Sequence, residues 1–183
     1  MHRRLRALST VLIVVGVLLV AEAAATVLWQ EPVSGVYALY EQRKLDSRLA
    51  TIEGEAYTQV ERKAITSLPT PARRLSFAAR SLDRRTKDGE PLGRLTIPRI
   101  GLSTVFVAGT GASDLRKGPG HYPDTPLPGA RGTVAIAGHR TTYGAPLRTV
   151  DKLRRGDEIR LRMPYGTFTY EVQRSRIVPP TAT

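Results

Sequence analysis

The apolar and polar positions of this chain fall into three stretches of different rhythm. The first runs from Ala7 to Trp29 and carries a single charge, Glu22. As a helix rising about 1.5 Å per residue, such a run reaches across a hydrocarbon core of roughly 30 Å. Arg3, Arg4 and Arg6 form a basic flank that stays cytoplasmic, which predicts an outward-facing remainder with Trp29 at the outer interface. Residues 1–29 thus read as an N-terminal membrane anchor, a single-pass transmembrane helix. A cleaved signal peptide fits the same residues, with Leu8–Val20 as its apolar region and Ala21-Glu22-Ala23 as its cleavage site. A buried helix is the third reading. The first two place the rest of the chain outside the membrane.

Residues 30–90 change character. Val36–Thr66 mixes apolar and charged positions at loosely helical spacing, as at Val36, Leu39, Tyr40 and Arg43. Gly54 interrupts it, at a cost of about 1 kcal/mol relative to alanine. Leu68-Pro-Thr-Pro71 ends any helix, and the pairs Arg73-Arg74 and Arg84-Arg85 lie in a polar tract of partly disordered composition. The segment reads as a helical or disordered basic stalk. Its charge is that of a solvated linker, or of a contact to anionic wall polymer or lipid headgroups.

From Pro91 the rhythm shortens to strands and turns. Leu92–Ile97 ends at Pro98, Ser103–Val107 follows Ile100-Gly101, and Gly109, Gly111, Gly118, Pro119 and Gly120 mark a long loop. Thr133–Gly138, with its apolar run Val134 to Ala137, predicts a buried central strand. Ala145–Leu153 predicts a short helical turn with Leu147, Val150 and Leu153 on one face. After Gly156-Asp157 comes a hairpin. Ile159, Leu161 and Met163 alternate with Arg160 and Arg162; beyond Tyr165-Gly166, Phe168, Tyr170 and Val172 alternate with Thr167, Thr169 and Glu171. Period-two alternation on both arms predicts one buried and one wet face. The fold class is mostly β, a small and mainly antiparallel domain over 91–183.

Composition narrows the partners. The net charge is +12 and the isoelectric point near 10.7, which favours polyanionic surroundings such as anionic lipid or cell wall. The basic residues are scattered and lack aromatic interleaving, so nucleic acid is not an expected partner. The chain holds no cysteine, which excludes disulfides, thiolate metal sites and thiol catalysis by these residues. His121 and His139 have no Asp or Glu at ligand spacing, so no metal or other cofactor is expected.

The sequence places one histidine, His139, directly after the apolar run and Gly138, on a loop that a strand would hold in position. Around it, several segments resemble the sortases, cell-wall cysteine transpeptidases. Leu92-Gly-Arg-Leu-Thr-Ile-Pro-Arg-Ile-Gly101 is similar to their opening strands, and Gly118–Gly129 to the loop before the histidine strand. Val134-Ala-Ile-Ala-Gly-His-Arg140 is similar to the histidine motif. Leu153-Arg-Arg-Gly-Asp-Glu-Ile159 resembles the turn that follows, and Tyr170-Glu-Val172 the next strand. The wording of Thr141-Thr-Tyr-Gly-Ala-Pro146 most resembles class E, with class D next.

The resemblance implies an incomplete sortase-type β-barrel over 91–183. In that family a cysteine attacks a threonyl carbonyl of a sorting peptide and forms a thioester, which an amine then releases. The cysteine sits in a threonine–leucine–x–threonine–cysteine motif, and an arginine follows on the neighbouring strand. This chain reaches Pro179-Pro-Thr-Ala-Thr183 before that motif, so the reading is of a sortase truncated ahead of its cysteine and arginine. His139 carries over as the catalytic histidine; Arg140 does not match the arginine position. His121 and Tyr143 are candidate walls of the substrate groove, although each could simply pack. Asp124 could orient His121, and Asp157 reads as a turn residue. The implied partners are a LAXTG-like sorting-signal peptide of secreted proteins, a cell-wall amine acceptor and membrane lipid. The implied location is the cell membrane, with the domain extracytoplasmic. Two functions stand: the N-terminal portion of a class E-like transpeptidase, inactive by itself, or a non-catalytic, membrane-tethered β fragment that binds peptide or anionic wall polymer.

Overall fold

A computed structural model describes residues 2–29, 32–54 and 58–178. Four helices precede the strands: α1 His2–Trp29, α2 Pro32–Gly54, α3 Gln59–Ser67 and α4 Pro71–Arg85. The strands are β1 Pro91–Ile97, β2 Leu102–Ala108, β3 Gly120–His121, β4 Ile136–Ala137, β5 Glu158–Met163 and β6 Gly166–Glu171, and a single turn, α5 Ala112–Leu115, lies between β2 and β3. The closing residues 179–183 lie outside the described residues.

One sheet runs in the order β4-β3-β2-β1-β5-β6. β1 pairs antiparallel with β2 and β5, β5 with β6, and β3 with β4, while β2 and β3 run parallel. Register slips between Pro91 and Gly93. A Cβ on Gly93 would lie 2.3 Å from the Arg162 carbonyl oxygen, so glycine alone lets β5 approach there. β2 is buried on both faces because two different layers cover it. Phe106 joins Leu92, Leu95, Leu161, Leu127 and Met163 in a core that Ala79 and Leu82 of α4 complete. Val105 and Val107 point the other way and meet Leu45 and Leu49 of α2.

Most of the described part of 30–90 is helical, with short breaks at 68–70 and 86–90, and two of its helices pack on the sheet. α2 ends at Gly54, the residue whose propensity signalled an interruption. α3 begins with a capping box in which the Thr58 hydroxyl accepts from the Glu61 amide while the Glu61 carboxylate accepts from the Thr58 amide. α4 has Thr70 as N-cap and Pro71 in its first turn. Its apolar residues Leu75, Ala78, Ala79 and Leu82 follow helical spacing, and this stripe outweighs the arginine pairs that made the tract look disordered. Charge pairs bind the helices to the sheet and to each other: Asp46 with Arg94, Glu53 with Arg162 at 3.0 Å, and Glu61 with Arg85 at 3.5 Å.

The membrane-spanning anchor expected over 1–29 is not upheld. Among the described residues, no helix is long and apolar enough to cross a membrane. α1 is one continuous helix with Leu8, Leu12 and Val20 exposed. The side chain of Trp29, expected at the outer interface, lies outside the described residues.

Two further expectations change. The histidine strand is short, half-buried and at the sheet edge, because β3 is its one partner among the described residues. The helical turn over 145–153 shrinks to a 3-10 turn at Val150–Lys152. Ala145, with a φ of 43°, is itself outside any right-handed turn.

Candidate functional site

His139 lies two residues past β4, on a loop running to Leu147. The Leu147 amide donates to the His139 carbonyl at 3.0 Å and closes that loop. Gly138 lies at its base, where a Cβ would come within 2.9 Å of Leu147 Cδ1 and push that side chain aside. The half-buried imidazole has its Nδ1 3.1 Å from the Thr142 hydroxyl. Its ring centroid is 5.1 Å from that of Tyr143. A ring nitrogen held by a hydroxyl and a ring set against an aromatic give an oriented acid/base group whose Nε2 has no hydrogen-bond partner among the described residues. Arg140, the next residue, is turned to Asp151 at 2.8 Å and the Arg148 carbonyl at 3.2 Å.

Tyr143 is enclosed on several sides. The Tyr37 ring of α2 meets it edge-on at 6.4 Å, and Arg116, just past α5, places its guanidinium carbon 5.6 Å from the ring centroid. These partners come from distant parts of the chain, and no local pattern pointed to them. Thr142 was within reach of sequence reasoning, because a threonine three residues past a loop histidine is a natural hydroxyl partner.

His121 is placed differently. It is 1% exposed. Its Nε2 lies 3.1 Å from the Thr125 hydroxyl and 3.3 Å from the Pro126 carbonyl oxygen. Burial holds this imidazole below the ordinary histidine range, although the Pro126 carbonyl and the Asp83 charge oppose that shift. Thr125, not the exposed Asp124, orients it. β-pairing sets His121 opposite Ile136, and no hydrogen bond or ring contact among the described residues joins it to His139. Asp157 accepts from the Arg154 amide at 2.7 Å, as a turn residue does.

Beside the His139 loop, one sheet face opens into an apolar groove of about 300 Å³, lined by Ile97, Val134, Ile136, Leu147, Val150 and Leu161 among others. Tyr170 borders it, and burial raises the pKa of its phenol. Leu147, Val150 and Leu153 do share a face, and it is this one. This lining is mostly apolar and shares Leu95, Ile97 and Leu161 with the core, and β4 has no second strand partner among the described residues. Among the described residues no three His, Asp or Glu side chains converge as a metal site requires.

Comparison with known proteins matches residues 95–183 to the sortase domain family. This match takes in just under half of the chain, and over it the chain resembles the sortases. Over 94 residues the chain is 40% identical to sortase D of Bacillus subtilis (strain 168), covering 51% of this chain and 46% of that protein. It is 31% identical over 101 residues to sortase SrtE1 of Streptomyces coelicolor, covering 51% of this chain and 28% of the relative. The chain thus spans less than half the length of these curated relatives. A solved Clostridium perfringens sortase D5 transpeptidase superposes with a TM-score of 0.59 at 25% identity, covering 78% of each chain. The sheet is accordingly a curled, mostly β half-barrel of the sortase type, and the relatives include both class D and class E.

Proposed function

We propose that these residues form the histidine side of a sortase active site, class E-like or class D-like, acting on sorting-signal peptides at the extracytoplasmic face of the cell envelope. The observation that carries this reading is His139. It sits at the end of the edge strand, oriented by Thr142 and Tyr143, beside an apolar groove, within the segment that matches sortases. In the reaction this implies, a cysteine thiolate adds to the threonyl carbonyl of a LAXTG-like peptide. The carbon–nitrogen bond breaks, and the His139 imidazolium gives its proton to the departing amine. A cell-wall amine then attacks the thioester carbonyl, and the thiol leaves. His139 is the acid/base group, Tyr143 packs against its ring on the α2 side and does not line the apolar groove, and His121 supports the preceding loop from beneath.

The 183 residues contain no cysteine, so by themselves they transfer no acyl group. The purified chain is incubated with a fluorogenic LAXTG-like peptide and an amine acceptor. No turnover is expected. Appending a segment that bears the family's cysteine and arginine motif should confer turnover, which His139→Ala should lower by about 10²-fold or more. Turnover by the unextended chain that His139→Ala abolishes would overturn this reading. So would an extended chain indifferent to His139→Ala.

A further inference from the structure

The loop that carries His139 follows a path it cannot hold alone. Tyr143, Gly144 and Ala145 are successive left-handed residues, with φ of 49°, 73° and 43°. Glycine adopts this freely, but a tyrosine or an alanine there costs roughly 1–3 kcal/mol and persists only where its surroundings over-determine it. Local bonds supply part of the restraint: Ala145 donates to the Thr142 carbonyl at 2.8 Å and Leu147 to that of His139 at 3.0 Å.

The rest comes from α2, more than a hundred positions earlier in the chain. The Tyr143 amide donates to the Ser34 hydroxyl at 3.2 Å. The Tyr37 ring meets the Tyr143 ring edge-on. Buried Ala38 faces Gly144, where an added Cβ would lie 3.4 Å from the Ala38 Cβ. Tyr143, gripped in this way, is the ring against His139.

α2 is itself fixed in register. The Gln42 carboxamide accepts from the Val105 amide and the Thr104 hydroxyl, both at 2.8 Å, and donates to the Val105 and Lys117 carbonyls at 3.0 and 2.8 Å. Asp46 and Glu53 pair with Arg94 and Arg162. Ser34, Ala38, Gln42, Leu45, Leu49 and Glu53 recur at intervals of three to four residues and so share one helix face. The face that is anchored to the sheet is the face that reaches the histidine loop.

We propose that α2 is a positioning strap for the histidine: Ser34 and Tyr37 hold Tyr143, and Tyr143 sets the His139 ring. The proposal rests on the function above for its catalytic consequence, whereas the mechanical coupling is measurable without activity. Ser34→Ala and Tyr37→Ala are made in the full 183-residue chain. Amide hydrogen exchange and the His139 ring resonances are then followed by NMR. Exchange at the Tyr143 and Leu147 amides should rise by about tenfold or more, while β1 and β2 amides keep their rates. The His139 ring resonances should shift as the neighbouring tyrosine ring moves away. Ser34→Thr and Tyr37→Phe, which keep the hydroxyl and the ring, should restore both signals. Tyr40→Ala, on an exposed position of the same helix, should leave the loop unchanged. Unchanged loop exchange in both alanine variants overturns the proposal, as does an equal rise across β1 and β2. Loss of the proposed function, by contrast, would show in the peptide assay and leave the exchange result standing.

Discussion

At the scale of single residues, the two histidines divide by environment. His139, on a loop, has a ring nitrogen with no hydrogen-bond partner among the described residues, whereas His121 is buried against Thr125 and Pro126. Burial depresses the His121 pKa, so the folded state binds fewer protons than the unfolded chain below the ordinary value of 6.5. Where the unfolded state binds more protons, stability rises with pH. The contribution of His121 is therefore complete above about pH 6.5 and is lost as pH falls towards the depressed value. Glu61 adds a second acid-sensitive step. The Ser81 hydroxyl, the Thr58 amide and Arg85 hold its carboxyl below 4.5, so its contribution disappears as pH drops beneath that value. Denaturant midpoints measured from pH 7.5 to 4 should decline in the parent chain. The decline between about pH 6.5 and 5 should be shallower in His121→Gln. Equal slopes in that window would show that another group titrates there.

At the scale of elements, Gln42 joins α2 to the sheet as an extra strand would. β2 pairs with β1 along one side, but on the other β3 reaches only Val107 and Ala108. The Gln42 carboxamide fills the gap at Val105, satisfying both its amide and its carbonyl. Gln42→Leu keeps the volume and strands those backbone groups. A buried group left without its partner costs about 1–3 kcal/mol, so a net loss on the order of 2–4 kcal/mol is expected in urea unfolding. A change under about 0.5 kcal/mol would mean that water replaces the carboxamide there. The same helix face carries Leu45 and Leu49 into the core, which explains why a tract of stalk-like composition is part of the packed structure.

At the scale of the whole molecule, the core is shared between the sheet and the helices before it. Leu45 and Leu49 cover one sheet face, and Leu82 and Ala79 enter the other. Each buried leucine contributes roughly 1.5–3 kcal/mol, and a domain is stable by only about 5–15 kcal/mol in total. Residues 91–183 alone should therefore lack a cooperative thermal transition and should aggregate or bind a hydrophobic dye, their groove and edge strand β4 being joined by newly bared apolar surface. The full 183-residue chain should melt cooperatively. A sharp melt from a soluble monomer of 91–183 would show that the helices are dispensable.

Local patterns settled much of this protein. Period-two alternation placed the β5–β6 hairpin and the buried side of β5, although Tyr170 of β6 is exposed; Pro98 ended β1, Gly54 ended α2, and the words around His139 carried the family resemblance. These features depend on a residue and its near neighbours in the chain, which is the information a linear pattern holds. Tertiary structure alone decided what covers what. An apolar run such as Val134–Ala137 looks the same whether it is central or at an edge, because its burial depends on strands far away in sequence. Arginine pairs look like a solvated tract until Ala78, Ala79 and Leu82 find a sheet to cover. The left-handed path of Tyr143, Gly144 and Ala145 likewise depends on Ser34, Tyr37 and Ala38, contacts made across more than a hundred residues that no local rule encodes.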